Sequence, residues 1–442
     1  MKYIRISLFF ALVLGLLLMV SPAAFAAEEG TCGPNATWRF ENSTLTISGT
    51  GLVTEICWYE FHDRILKVVV EPGIMNLPEN AFHGCEFLTD VSLPEGLIKL
   101  GAFAFSNCHS LGTVLLPSTL ESIGDLAFGN SGLTGITIPG SVKKIGVSAF
   151  DNCYKLMRVT LEEGITSIGT SAFYDCKKLT EITLPDSLES MGTDVFKNCV
   201  SLKSIVLPQN LTTIPVRAFQ GCENLEHVTL SPNTTHIEAD AFRECPSLRS
   251  ITLPPTIQSL HGLPSTLQEI HISDLAAWCT ANHSSWNHYL EHAGLYLNGE
   301  LITDLVLPEG LTSIGYGAFY GYKSLTSVTI PEGLTSIGGN AFENCTSLKQ
   351  VTLPSTIQHI GNYAFSNATA LHQVIYNGST DDLNRVSIFS GNDNLLNASW
   401  KFSSLGSVAI YLIILPLTCL LQLGVLIACL VIYIRQRKYP FL

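Results

Sequence analysis

The sequence predicts a β-rich solenoid built from repeats of about 23 residues with short parallel strands. Three observations carry this prediction: a phenylalanine that returns at a fixed spacing, an apolar segment that ends in proline, and a cysteine three residues after the phenylalanine. Because such repeats are too small to bury their own apolar face, they must stack on their neighbours. The recurring phenylalanines are Phe82, Phe105, Phe128, Phe150, Phe173, Phe196, Phe219, Phe242, Phe319, Phe342 and Phe365.

The spacing of the phenylalanines is nearly constant. Within the runs Phe82 to Phe242 and Phe319 to Phe365 the step is 23 residues, except for the step of 22 residues from Phe128 to Phe150. A regular step places equivalent residues of successive repeats directly above one another. We therefore expect the phenylalanines to be buried in a column, in turns too short for a helix.

Each repeat contains two segments that predict strands. The first has the pattern Leu-x-x-[Val/Ile]-x-[Leu/Ile]-Pro, which alternates with period two and is rich in β-branched residues. Proline closes it, as in Leu184-Pro185, because proline cannot extend a strand ladder. The second segment, such as Leu188 to Gly192, predicts a short strand on the other side of the coil.

A cysteine column accompanies the phenylalanines and has two interpretations. It could be a row of metal or redox ligands, or a row of small buried thiols. Tyr322 and Ala368 replace the cysteine in two repeats, and a ligand would not be exchanged so freely, so the pattern favours packing. The cysteines are Cys85, Cys108, Cys153, Cys176, Cys199, Cys222, Cys245 and Cys345.

The N-terminus predicts export. Residues 1–26 have a basic start, an apolar run and the small-x-small end Ala24-Phe25-Ala26, which is the pattern of a secretory signal peptide. An uncleaved membrane anchor is the alternative, but the apolar run is short for a span.

The C-terminus predicts a membrane anchor. Residues 405–434 are long and apolar enough for one transmembrane helix, and the basic tail 435–442 then lies inside the cell. Leu415-Pro416-Leu417-Thr418-Cys419 resembles a sortase signal with Cys in place of Gly, so wall anchoring is the alternative. In both cases the repeats face the outside, as part of a single-pass surface protein.

The irregular parts of the chain predict two caps and an interruption. Cys32 and Cys57 in the first cap are disulfide candidates, since an exported chain permits the bond. Asn298-Gly299 predicts a hairpin turn within the interruption. The predicted order is signal peptide 1–26, N-terminal β cap 27–64, first repeat block 65–254, irregular segment 255–307, second repeat block 308–373, C-terminal cap 374–404, transmembrane helix 405–434 and cytoplasmic tail 435–442.

Charge and motifs disfavour several functions. The chain of 442 residues has a net charge of -13, which repels the phosphates of nucleic acids. His288-Tyr289-Leu290-Glu291-His292 matches a zinc-peptidase pattern, but no long helices are predicted around it to hold the metal. The common hydrolase elbow and phosphate-binding loops are absent from the sequence, so no enzyme activity, metal or cofactor is predicted.

The repeat resembles a known family. The pattern Ser-Ile-Gly-x-x-Ala-Phe-x-x-Cys-x-x-Leu-x-x-[Val/Ile]-x-[Leu/Ile]-Pro is similar to the BspA-type leucine-rich repeat and extends from Ile65 to about Gln373. The resemblance implies an exported or surface protein of a bacterium or a mucosal protist, with a role in adhesion. It transfers no site, because the shared residues are the buried ones.

The outward positions of the strands are the candidate ligand face. They vary in charge and size from repeat to repeat, which suits recognition of an extracellular protein or glycan. A structural spacer or coat without a ligand is the alternative, since threonines also favour strands by themselves. The candidate residues are Asp90, Thr113, Arg158, Thr160, Glu181, Thr183, His227, Thr229 and Thr252.

Nine sequons predict N-glycosylation only if the host is eukaryotic. They lie at Asn35, Asn42, Asn210, Asn233, Asn282, Asn344, Asn367, Asn377 and Asn397.

Overall fold

A computed structural model describes residues 27–283 and 293–402. The chain forms two compact regions. The first extends to Thr256 and includes His261–Thr266, and the second comprises Ile257–Leu260 and the chain from Leu267 onwards. The predicted signal peptide, transmembrane helix and cytoplasmic tail lie outside the described residues, as do His288 and His292.

The first region begins with a β cap. Strands β1 (Glu28–Gly33), β2 (Ala36–Glu41) and β3 (Thr44–Gly49) pair in antiparallel order, and β3 then pairs in parallel with β4 (Lys67–Val70), the long strand of the first repeat. The hairpin predicted around Leu45 and Ile47 is therefore confirmed, and its apolar side chains are buried. A 3-10 turn, Tyr59–Phe61, connects the cap to the repeats.

Each repeat of the first region supplies a long strand and a short strand, as predicted. Equivalent residues pair in parallel, for example Val159 with Ile182. The long strands after β4 are β6 (Asp90–Ser92), β9 (Gly135–Ile138), β11 (Arg158–Leu161), β13 (Glu181–Thr183), β15 (Ser204–Val206), β17 (His227–Thr229) and β19 (Ser250–Thr252). The short strands are β5 (Asn76–Leu77), β7 (Lys99–Leu100), β8 (Ser122–Ile123), β10 (Lys144–Ile145), β12 (Ser167–Ile168), β14 (Ser190–Met191), β16 (Thr213–Ile214) and β18 (His236–Ile237).

The phenylalanines form the predicted column between the two strand faces. From Phe82 to Phe242 successive rings stack with centroids 5.2–5.5 Å apart, and every ring is buried. They lie in tight turns that use left-handed residues, such as Ser171 (φ 55°) and Asp175 (φ 56°). The turn prediction is thus confirmed.

A tryptophan covers the end of each phenylalanine column. In the first region, the indole of Trp58 stacks 5.9 Å from Phe82 and donates from Nε1 to the carbonyl oxygen of Ala81 (2.7 Å). In the second region, Trp278 is buried and donates to the carbonyl oxygen of Ala318 (2.9 Å), next to Phe319. The exposed apolar face of the first ring is covered in the same way both times.

The segment 255–307, which the sequence predicts to be irregular, contains parallel pairing within the second region. Strand β20 (Ser259–Leu260) pairs with β22 (Asn282–His283), and β21 (Glu269–Ile272) pairs in parallel with β23 (Gly294–Leu297). The expectation of an interrupted coil is therefore too broad, because these strands follow the solenoid pattern at unequal spacings. A six-residue helix, Leu275–Thr280, lies between them and is capped by Asp274.

The predicted hairpin is the true irregularity. Strand β23 turns back through Asn298 and Gly299, which have φ angles of 51° and 86°, and pairs in antiparallel order with β24 (Glu300–Leu301). Both central residues have positive φ, as a two-residue hairpin turn requires. The Asn-Gly signal in the sequence is confirmed.

The remaining repeats of the second region follow the 23-residue register. Its long strands are β25 (Asp304–Val306), β27 (Ser327–Thr329), β29 (Gln350–Leu353), β31 (Gln373–Tyr376) and β33 (Ser399–Phe402). Its short strands are β26 (Ser313–Ile314), β28 (Ser336–Ile337), β30 (His359–Ile360) and β32 (Ser387–Ile388). Two four-residue helices, Thr380–Leu383 and Asp393–Leu396, connect the last strands.

No helix within residues 27–283 and 293–402 is both long and apolar enough to cross a membrane.

Candidate functional site

The long strands place the predicted ligand residues on one surface, here called the long-strand face. Alternation along each strand points one set of side chains into the core and the other set to solvent. Thr160 is half-buried, and the other predicted residues are exposed: Asp90, Thr113, Arg158, Glu181, Thr183, His227, Thr229 and Thr252.

Charges on this face pair between neighbouring repeats. Arg158 Nε lies 2.9 Å from Glu181 Oε2, and Lys67 Nζ lies 3.2 Å from Asp90 Oδ2. Exposed ion pairs of this kind contribute little to stability. Their main effect is that Arg158 does not present an uncompensated positive charge.

One repeat differs from the others in the length of its turn. Six residues separate Phe105 from Leu111, whereas five separate Phe128 from Leu133. The shortened turn brings Gly132 against the repeat below, where a Cβ atom would collide with the carbonyl oxygen of His109. Glycine is therefore required at this position, and the missing residue accounts for the step of 22 between phenylalanines.

The strand ladder is interrupted beside this turn. Among residues 27–283, no backbone hydrogen bond joins Thr113–Leu116 to the neighbouring long strands β6 and β9. The last bond before the gap runs from Thr134 N to the carbonyl oxygen of Gly112 (2.9 Å). We attribute the interruption on the β9 side to the shortened turn, which shifts β9 relative to Thr113–Leu116.

A groove with a volume of about 800 Å³ opens on the long-strand face at this place. Gly135 lies at its floor and offers no side chain, so a gap separates Thr113 from Arg158. Leu115 stands at its side with 87% of its surface exposed, and Met157 is 48% exposed. Large exposed apolar side chains around a cavity are typical of binding sites.

Two carboxylates border the groove where the strands end. Glu95 accepts hydrogen bonds from the Ser118 backbone N (3.2 Å) and from Ser118 Oγ (3.0 Å). Glu162 accepts from the Gly140 backbone N (3.2 Å). These bonds hold both negative charges at the rim. The groove is therefore apolar at its centre and acidic at one end.

The cysteine column has the geometry of packing. Each thiol is buried, and thiols of the column donate to a phenylalanine carbonyl oxygen of the preceding repeat, as Cys176 Sγ does to Phe150 O (3.2 Å). Burial raises the pKa of the Cys153 thiol to about 11. Within the described ranges, no group of three or more His, Cys, Asp or Glu side chains could hold a metal ion.

Cys32 and Cys57 are free thiols in the structure, which differs from the predicted disulfide. Instead of bonding to Cys32, the Sγ atom of Cys57 donates to the carbonyl oxygen of Thr31 (3.3 Å). Burial, and secondarily the nearby Cys57, raise the pKa of Cys32 to about 11.

The sequons differ in exposure. Asn344 is half-buried and its Nδ2 donates to the hydroxyl of Tyr320 (2.6 Å), and Asn377 is also half-buried. Asn282 begins β22, and its side chain lies outside the described residues. The exposed sequons are Asn35, Asn42, Asn210, Asn233, Asn367 and Asn397. Whether any of them carries a glycan stays a prediction.

The location of the groove could have been suspected from the sequence. The step of 22 residues and Gly135, the only glycine in its column from Asp90 to Ser250, are visible signals. The other groove residues, Glu95 and Glu162, were not predicted because they follow the strands rather than lie in the outward column.

Comparisons with known proteins agree with this architecture. The BspA type Leucine rich repeat region, in six copies, matches residues 39–157, 143–262 and 294–409. A leucine-rich repeat protein from Bacteroides ovatus is 24% identical with a TM-score of 0.55, over 84% of this chain and 99% of that one. A leucine rich cell surface protein from Faecalibacterium prausnitzii is 22% identical with a TM-score of 0.37, over 83% and 99%. The curated proteins contain no significant match. Since the repeat pattern covers more than half of the sequence, the chain belongs to the BspA-type leucine-rich repeat family.

Proposed function

We propose that this protein is a non-enzymatic cell-surface protein whose long-strand face binds an extracellular protein or glycan, in adhesion to a host or to other cells. Family membership supports the solenoid scaffold, and the predicted signal peptide and transmembrane helix support display at the surface. The groove beside Leu115 carries the proposal, because it places exposed apolar and charged groups around a cavity of about 800 Å³.

Adhesion of cells that display the full chain tests this function. We expect attachment to extracellular matrix or to partner cells to fall at least tenfold for Leu115→Asp and for the charge reversal Arg158→Glu with Glu181→Lys. The matched control is Val147→Asp, which also adds a carboxylate at an exposed apolar residue, outside the groove. Unchanged attachment of both groove variants, at equal surface expression, would contradict the proposal.

A structural spacer remains the second candidate, because threonines recur on the long-strand face, as at Thr160, Thr183 and Thr229. In a spacer only the length of the array matters. Deleting the 23 residues that follow Phe196 then leaves function intact, and groove substitutions have no effect. A ligand-binding face predicts the opposite result for the groove substitutions.

A further inference from the structure

We propose that the groove around Gly135 binds an extended peptide segment of a partner protein that carries an apolar side chain next to a lysine or arginine. This inference rests on the proposed function and specifies its ligand. It follows from the shape of the groove, the charges on its rim and the residue types that line it.

The floor of the groove provides an apolar subsite. Strands β9 and β11 lie side by side, and Gly135 leaves the space between Thr113 and Arg158 unfilled. Leu115 and Met157 border this space with large exposed surfaces. An apolar side chain seated there would remove both surfaces from water, which is favourable by about 25 cal/mol per Å² of buried area.

The rim provides an acidic subsite. Glu95 and Glu162 are fixed by hydrogen bonds from Ser118 and Gly140, so no side-chain rearrangement is needed before they meet a cation. Arg158 at the opposite end is compensated by Glu181. Four residues separate Arg158 from Glu162, or about 13 Å along an extended strand. A basic side chain a few ångströms from the apolar one would reach the carboxylates.

The lining disfavours other ligand classes. No aromatic residue lines the groove, so it lacks the flat faces on which the apolar side of a sugar ring packs best. The net charge of -13 disfavours anionic polymers. A cationic and partly apolar polypeptide complements both properties.

Gly135 offers a clean test of the site. It is absent from the residues with positive φ, and the atom nearest to a Cβ added at this position would be the Arg158 carbonyl oxygen at 3.5 Å, an ordinary contact. Gly135→Val therefore fills the groove without straining the backbone. Ser204→Val is the matched control, because Ser204 occupies the same outward column on β15, outside the groove.

The experiment selects short random peptides displayed on phage against the purified full chain. We expect enriched sequences to contain an apolar residue adjacent to lysine or arginine. Their affinity should fall at least tenfold for Gly135→Val and stay unchanged for Ser204→Val, with equal melting temperatures. Glu95→Gln with Glu162→Gln keeps hydrogen-bond acceptors at both positions and should remove the preference for basic residues, whereas Glu121→Gln on the other side should not.

Enrichment of acidic sequences, absence of enrichment, or equal binding to Gly135→Val would overturn the peptide assignment. If the Leu115 and Arg158 variants still lose cell adhesion in that case, the proposed function stands and only the ligand class is wrong. If adhesion also persists in those variants, the proposed function fails together with the peptide site.

Discussion

The ring of Phe150 lies almost parallel to the ring of Phe173, with centroids 5.2 Å apart and 3° between their planes. Neither ring is exposed to solvent. Each phenylalanine is therefore covered above and below by its counterparts, and the column joins neighbouring repeats into one core.

Removing one ring from the middle of the column should be costly. We expect Phe173→Ala to lower the free energy of unfolding by about 3–5 kcal/mol, because the flanking rings cannot collapse into the cavity. Chemical denaturation measures the change. Lys178→Ala, at an exposed position of the same repeat, is the control. A loss similar to that of Lys178→Ala would contradict the packing role of the column.

The tryptophan at the start of the column should stabilise the first repeats through its indole N–H. Trp58→Phe keeps an aromatic ring but leaves the carbonyl oxygen of Ala81 without its 2.7 Å donor. We expect a loss of about 1 kcal/mol. Hydrogen exchange should show faster opening near Phe82 and unchanged exchange at Phe219. Tyr59→Phe, a change in a neighbouring exposed side chain, should alter neither.

Asp151 should make stability depend on pH. Burial, and secondarily the nearby Asp175, raise its pKa from 3.8 to about 6. Because the folded-state pKa exceeds the unfolded one, ionisation destabilises the fold as pH rises from about 4 to 6. Asp151→Asn should therefore stabilise the protein at pH 7, by about 1 kcal/mol after solvent screening, and not below pH 4. Melting temperatures across this range, with Asp63→Asn as the exposed control, measure the difference. An equal gain at pH 3 and pH 7 would rule out the ionisation of Asp151 as its cause.

The buried thiols of the column should be unreactive in the folded protein. Thiolate is the reactive form, and burial raises the pKa of Cys153 to about 11 and of Cys345 to about 12. We expect iodoacetamide at pH 8 to leave both residues unmodified until denaturant is added. Peptide mass spectrometry identifies the labelled sites. Rapid labelling of Cys153 in the native protein would argue for an accessible, ligand-like column.

Restoring the length of the short turn should close the groove. Inserting one serine between Gly132 and Leu133 gives this repeat the spacing of its neighbour. We expect Thr113–Leu116 to pair with β9, and amide exchange in Thr113–Leu116 to slow at least tenfold. A serine inserted after Gly299, in the exposed hairpin turn, is the control. Unchanged exchange would show that the shortened turn does not cause the interruption of the ladder.

The repeat could be predicted because its determinants are local and periodic. Phe173, Cys176 and Leu179 recur at fixed positions, and only stacking satisfies so regular a set of buried side chains. The same reasoning fails for Glu269–Ile272 and Gly294–Leu297. Their pairing is parallel, but they are separated by 25 residues, so a search for the 23-residue step does not find it.

The candidate site was only partly predictable. The alternation within β11 indicates that Arg158 and Thr160 point outward, which the structure shows for both, Thr160 being half-buried. The groove itself depends on an interrupted ladder, and hydrogen bonds that fail to form leave no residue pattern in the sequence. The step of 22 residues indicates where the repeat changes, but not that a cavity results.

The short turn shows how a repeat array can acquire an individual site. All residues that build the core of this repeat, including Phe128, Leu133 and Ile136, keep their types and remain buried. What changed is length, by one residue at Gly132, which corresponds to a single codon. A deletion of this kind could distinguish one repeat from otherwise interchangeable copies in a single genetic step, so that recognition evolves without selection on the core.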